Sequence, residues 1–259
     1  MAEADTLIVE PGRVATLRIN RPAQRNALNG GLLVKLAGTL EDLGRDDGVA
    51  VVRLTATGTR AFSAGADLAE VGALPDVAGV RGYFSGMARV LLALRRCPKP
   101  VVAVCFGYTL AGGMGLAAGA DLLMAADDTV FGLPEVQVGL FPMVVMAPIA
   151  RILGRRRTLD LAWTGRFIDV ETAERWGFVN HVVPAAGRED AGRAYCEDLA
   201  HRSALIARLG KGGAGPAWDL DYDAALELLE EQVAVVALSD DSREGLTAFR
   251  DKRPPHWPS

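Results

Sequence analysis

Metal ligands and disulfide partners are scarce in this chain. Its 259 residues include three cysteines, Cys97, Cys105 and Cys196, and three histidines, His181, His201 and His256. An odd number of thiols gives no disulfide framework, and neither set has the close spacing of a metal site, so no metal is expected. Positive charge is not in excess. The formal net charge is −4, which gives no reason to expect nucleic acid or an anionic membrane as the main partner. Met1-Ala2-Glu3-Ala4-Asp5 lacks the basic stretch and apolar run of a secretion signal, so a cytoplasmic protein with reduced thiols is expected. There is no internal repeat, and the one biased stretch, residues 211–216, is glycine-rich and reads as a hinge.

What the chain has in quantity is apolar material. Half of its residues are hydrophobic and 23% are charged, the balance of a compact globular protein. Residues 101–120 carry no charged side chain over about the length of a membrane helix. They also hold five glycines behind a valine-rich opening, which favours a buried strand and a buried helix over a span. Upstream, two strands flank Pro11-Gly12-Arg13 as a hairpin, and Asn29 caps a helix over 32–43. A strand at 49–54, a Pro/Gly connection at 75–80, a helix over 81–95 and strands at 121–125 and 130–132 follow. This alternation predicts an α/β sheet with parallel crossovers. From about residue 144 the chain reads as mostly helical. Arg155-Arg156-Arg157 introduces a helix through Trp163, residues 170–176 form a short one closed by Gly177, and long helices cover 189–209 and 224–238.

Several stretches are candidates for chemistry. Arg21-Pro22-Ala23-Gln24-Arg25-Asn26-Ala27-Leu28-Asn29 turns from a strand end toward a helix with two arginines beside it. Ala61-Phe62-Ser63-Ala64-Gly65-Ala66-Asp67-Leu68 is a loop of small residues whose backbone can lie against a ligand. Gly107-Tyr108-Thr109-Leu110-Ala111-Gly112-Gly113 leads from a strand into a helix, whose start points unpaired N–H groups and a positive dipole end at any negative charge. Phe131-Gly132-Leu133-Pro134-Glu135 and Leu161-Ala162-Trp163-Thr164-Gly165-Arg166, with Gly177-Phe178-Val179-Asn180, complete an ordered set.

In this set the chain resembles the crotonase superfamily, the enoyl-CoA hydratase/isomerase family. The resemblance implies an α/β fold with a crotonase-like ββα spiral core, residues 1–195, and a C-terminal helical trimerisation region, residues 196–259. It implies a homotrimer, or a hexamer of two trimers. The substrate would be an acyl-CoA thioester, with no cofactor beyond the coenzyme A that the substrate carries. The backbone N–H groups of Ala66 and Gly112 would form an oxyanion hole for a thioester enolate; one such donor is worth about 3 kcal/mol in other enzymes. Ala27, Ala64, Gly65, Asp67, Leu68 and Gly113 would lie along the substrate, with the backbone near Ala64 meeting the adenine and Arg25 near the CoA phosphates. Phe141 and Met143 would form an apolar wall.

In hydratases of this family one glutamate lies three residues after the oxyanion-hole glycine and a second on the later loop. Here those positions hold Gly115 and Glu135, and the glycine-rich segment after the second glutamate is replaced by Gly139-Leu140-Phe141-Pro142-Met143-Val144. Adding water with two carboxylates differs from moving a proton between two carbons with one. A single Glu135 beside an apolar wall suits the second task, because the wall raises its pKa toward neutrality. The expected activity is an enoyl-CoA isomerase-type proton shuttle with Glu135 as base and acid. The alternatives are an enoyl-CoA hydratase, with Asp67 or Glu70 as a substitute acid, and an acyl-CoA binding protein whose catalytic pair has decayed. By residue type alone, Asp67 is an N-cap and Arg155 to Arg157 a solvated helix start. Trp163, Trp176 and Trp218 read as core or interface residues.

Overall fold

A computed structural model describes residues 5–258; Met1 to Ala4, which carry most of the expectation about a leader, and Ser259 lie outside the described residues. The chain opens with the expected hairpin, β1 (Leu7–Glu10) and β2 (Val14–Ile19) pairing antiparallel. Helix α1 (Gly30–Arg45) follows, its first turn closed by Asn29 Oδ1, which accepts from Leu32 N at 2.9 Å.

Three turns of one pattern come next, each giving one strand to each of two sheets and returning through helix. The first is β3 (Val51–Ala56), β4 (Ala61–Ser63), α2 (Leu68–Gly72) and α3 (Val77–Arg96). The second is β5 (Val101–Cys105), β6 (Tyr108–Leu110) and α4 (Gly112–Gly119). The third is β7 (Leu122–Ala126), β8 (Val130–Gly132) and α5 (Met146–Thr164). This is the ββα spiral that the resemblance implied. Strand β9 (Phe167–Asp169), helix α6 (Val170–Arg175) and strand β10 (His181–Val183) complete sheets ordered β1-β2-β3-β5-β7-β10 and β4-β6-β8-β9. Helices α7 (Arg188–Ala200), α8 (Ala204–Ala217), α9 (Tyr222–Ala237) and α10 (Asp240–Arg250) end the chain.

Strands β3 and β5 are buried at every residue, as parallel strands covered on both faces must be. The outer face of the larger sheet is covered by α7, whose Cys196 and Ala200 pack on Val51, Val102 and Val104. A charge survives there because it is fully engaged. Buried Arg53 donates to Thr16 Oγ1 at 3.2 Å and to the Glu189 carbonyl at 3.0 Å, and pairs with the Glu189 carboxylate at 3.6 Å. Helix α7 runs across residues 195 and 196, so the part of the chain that leaves the sheet begins with α8.

Several sequence expectations are corrected. Helix α3 begins at Val77, inside the expected 75–80 connection, because Asp76 caps it by accepting from Gly79 N at 2.8 Å. Helix α5 begins at Met146, well before Arg155, and bends at Gly154, whose φ of 73° and ψ of 167° break it into two helical pieces. The expected helix over 189–209 is two helices, because Ser203 Oγ caps Ile206 N at 2.9 Å and starts α8 anew. Residues 211–216 are helical and not a hinge. One of their glycines has a packing reason: a Cβ on Gly213 would sit 3.0 Å from Gln232 Cγ, so glycine lets α9 approach closely. The uncharged span 101–120 divides into β5, β6 and α4 inside the core. Among the described residues α3 alone is long and apolar enough to cross a membrane, and its Tyr83, Met87, Val90 and Leu94 face the core.

Candidate active site

Residues 21–29 fold into a hook that holds the small-residue loop. Pro22–Gln24 make one tight helical turn, after which Arg25 and Asn26 take left-handed φ values of 51° and 55°. Asn26 fits there because an asparagine side chain can bond the nearby backbone. It is 1% exposed, accepts from Arg21 N at 2.9 Å, and donates to the carbonyls of Thr57 at 2.9 Å and Ala61 at 2.7 Å. The loop then lies along the hook: Leu28 N–H donates to Gly65 at 2.8 Å, Asp67 N–H to Leu28 at 3.2 Å, and Ala64 N–H to Arg25 at 3.0 Å. This parallel bridge uses the groups that flank Ala66 and leaves the Ala66 N–H outside it.

The second wall is the entry into α4. Ala111 has φ 52° and ψ −120°, a conformation that costs a non-glycine residue about 1–3 kcal/mol and turns β6 sharply into the helix. Gly112 is the first helical residue, so its N–H has no partner within the helix. The two walls touch. A Cβ on Gly65, at φ +95°, would sit 2.5 Å from Ala111 Cβ and 3.1 Å from Gly112 N.

Both walls open on a cavity of about 420 Å³, lined among others by Ala64, Ala66, Leu68, Gly112, Glu135, Phe141 and Met143. The structure therefore brings together seven of the residues singled out in the sequence. Glu135 reaches the cavity from the single helical turn Pro134–Val138 that follows β8. Among the described residues its Oε2 is buried without a hydrogen-bond partner, and burial pushes its pKa up to about 7 against the opposing pull of a backbone N–H. Phe141 packs on Trp163 with ring centroids 5.0 Å apart, and Met143, 71% exposed, stands at the mouth.

Five expected substrate residues do not line this cavity: Arg25, Ala27, Gly65, Asp67 and Gly113. Gly65 and Gly113 instead support the walls from behind, and Arg25 lies exposed beside Ala64. The Asp67 carboxylate is committed elsewhere, to Arg21 Nη1 at 2.9 Å and to Glu70 N at 3.3 Å as the cap of α2. Burial pulls its pKa up, but the hydrogen bonds from Arg21 and the Glu70 backbone outweigh that and lower it. Glu70 is committed as well, accepting from Gly30 N at 2.9 Å. Neither is free to act as a second acid.

Sequence reasoning missed Tyr83, Met87 and Val145. Tyr83 donates its hydroxyl to the Leu28 carbonyl and accepts from Asp67 N at 3.1 Å, so it ties the hook to the loop, and burial raises its pKa to about 12. Its place on the buried face of α3 was the available signal. Val145 fills the space in front of Gly115, and no local pattern marks that contact.

A family model described as Enoyl-CoA hydratase/isomerase matches residues 10–259. A Thermus thermophilus protein provisionally named an enoyl-CoA hydratase is 34% identical, over 96% of this chain and 99% of its own. A Clostridium acetobutylicum protein named short-chain-enoyl-CoA hydratase is 29% identical, covering 97% of each chain. The crystal structure of a Mycobacterium smegmatis enoyl-CoA hydratase superposes with a TM-score of 0.94 at 30% identity, over 98% of this chain and 100% of the other.

Proposed function

Since the chain belongs to the enoyl-CoA hydratase/isomerase family, we propose that it moves the double bond of an enoyl-CoA, with Glu135 as the single acid and base. The thioester oxygen lies between the N–H groups of Ala66 and Gly112, which stabilise the enolate as negative charge reaches that oxygen; the helix dipole of α4 adds to the second donor. The Glu135 carboxylate takes a proton from C2 of a 3-enoyl-CoA and returns it to C4, giving the 2-enoyl product with no other reactant. The supporting observation is Glu135 itself: a buried carboxyl with an unpartnered oxygen, in a cavity that both donor segments line, while Asp67 and Glu70 are held in caps. A pKa near 7 suits a group that must both accept and release a proton.

The substrate carries its own coenzyme A, which would run past Ala64 with its phosphates toward Arg25, and no further cofactor takes part. The C-terminal helices would join three copies, or two sets of three, in the cytoplasm. The decisive measurement follows a 3-enoyl-CoA by the rise of conjugated absorbance, with Glu135→Gln in parallel. Conversion that the substitution lowers by about 10²-fold or more is expected; no conversion, or full activity in Glu135→Gln, refutes the shuttle. Hydration is a second reading, favoured by the names of relatives such as the Clostridium acetobutylicum protein. Loss of conjugated absorbance from crotonyl-CoA would establish it in place of isomerisation, and tight acyl-CoA binding with neither reaction would point to a binding protein.

A further inference from the structure

Position 115 carries no side chain, yet the space in front of it is full. A Cβ built on Gly115 would lie 2.7 Å from Val145 Cβ and closer still to Val145 Cγ1, with Met87 Cε at 3.4 Å. Carbon atoms settle at about 3.5–4.0 Å, so the valine and not the methionine is the obstruction. Val145 is 5% exposed, lines the cavity that Glu135 enters, and is the N-cap position immediately before α5. Its branched side chain is stiff and cannot swing aside at low cost.

We propose that Val145 determines reaction specificity: by filling the first atom's space of any side chain at 115, it keeps a second acid/base group out of the cavity and confines the chemistry to the Glu135 proton. This rests on the single-carboxylate reading of the site. A carboxylate at 115 would take a proton from water while the water oxygen bonds to C3, and Glu135 would deliver its proton to C2, so that one water adds across the double bond. Alanine at 145 is not small enough to admit it, because the obstructing Cβ remains at 2.7 Å. Glycine is, and it is also a better helix-capping residue than valine.

The test is a set of substitutions read by thermal unfolding and by crotonyl-CoA hydration. Gly115→Ala is expected to lower the melting temperature in the wild-type protein and to lower it far less in a Val145→Gly background. Gly115→Glu with Val145→Gly is expected to hydrate crotonyl-CoA about 10²-fold faster or more than wild type or Val145→Gly alone, the scale of one added acid/base group. Gly115→Glu with Val145→Ala shows no such gain. Equal melting losses for Gly115→Ala in both backgrounds would overturn the obstruction, whether or not any glutamate variant folds. A folded Gly115→Glu, Val145→Gly protein that hydrates no faster than Val145→Gly would overturn the specificity role. The melting comparison needs no turnover, so it stands apart from failure of the shuttle, which is read on wild type and Glu135→Gln.

Discussion

The chemistry of a lone carboxyl can be read from its pH dependence. Glu135 is pushed up to about 7 by burial, so between its ordinary range and that value the folded chain holds a proton that the unfolded chain has already lost. Stability must then fall as the pH rises through this window. Glu135→Gln, which cannot ionise, loses that slope. In thermal unfolding the variant should be more stable than wild type at pH 8 and no more stable near pH 4.5; an equal difference at both pH values would show that the carboxyl is not destabilised by burial. With Glu135 as the base of the proposed shuttle, activity moves the opposite way: kcat/KM for a 3-enoyl-CoA should rise with pH toward a plateau, with a midpoint near 7. Glu135, Ala66 and Gly112 were legible only through the resemblance, which the ordered motifs around them carry; by residue type alone Glu135 is a loop carboxylate like any other. The sequence could not reveal that Asp67 is held by Arg21, or that Val145 stands against Gly115. Those partners are set by the packing of segments far apart in the chain.

Among the elements, the turn from β6 into α4 works only while the 61–68 loop can lie directly against it. Gly65→Ala would need a side chain at φ +95° and a Cβ 2.5 Å from that of Ala111, so either the loop or the Gly112 donor must move. With the Gly112 N–H as the oxyanion donor proposed above, loss of kcat by about 10²-fold, the cost of one such donor, is expected, along with a lower melting temperature. The bend in α5 separates strain from crowding. Gly154 has φ 73° and ψ 167°, which side-chain-bearing residues scarcely adopt, yet nothing lies within 4 Å of a Cβ built there. Gly154→Ala should therefore cost about 1–3 kcal/mol in denaturant unfolding through backbone strain alone; an unchanged or raised stability would contradict the bend. The elements that were legible, α1, β5 and the hairpin, carry local signals such as the Asn29 cap and an unbroken apolar run. Helix α8 was not, because the glycines of 211–216 have turn chemistry in isolation, and no local pattern shows that the segment continues α8 with Gly213 close against Gln232 of α9.

At the scale of the whole molecule, one chain leaves its C-terminal helices incompletely covered. Helix α9 buries none of its residues, although Leu226, Leu229, Val233 and Val235 lie along it and Leu238 caps its end. Trp218 at the end of α8 and Tyr222 at the start of α9 are 83% and 77% exposed, and Leu246 and Phe249 on α10 are 69% and 86% exposed. Scattered apolar residues need no explanation, but an apolar surface extending over successive helices marks an interface. Leu246 and Phe249 are three residues apart and so share one face of α10, which places the consequence on a pair that touches neither Glu135 nor the cavity. With further copies of the chain as the occupant of that face, light scattering should give three or six times the 27.4 kDa chain mass. Replacing both Leu246 and Phe249 by glutamate should shift the population toward monomer while each chain keeps its helical content, because neither side chain contributes to the buried core. A monomeric wild-type protein, or an assembly indifferent to the double substitution, would rule out this face as the one that joins the copies.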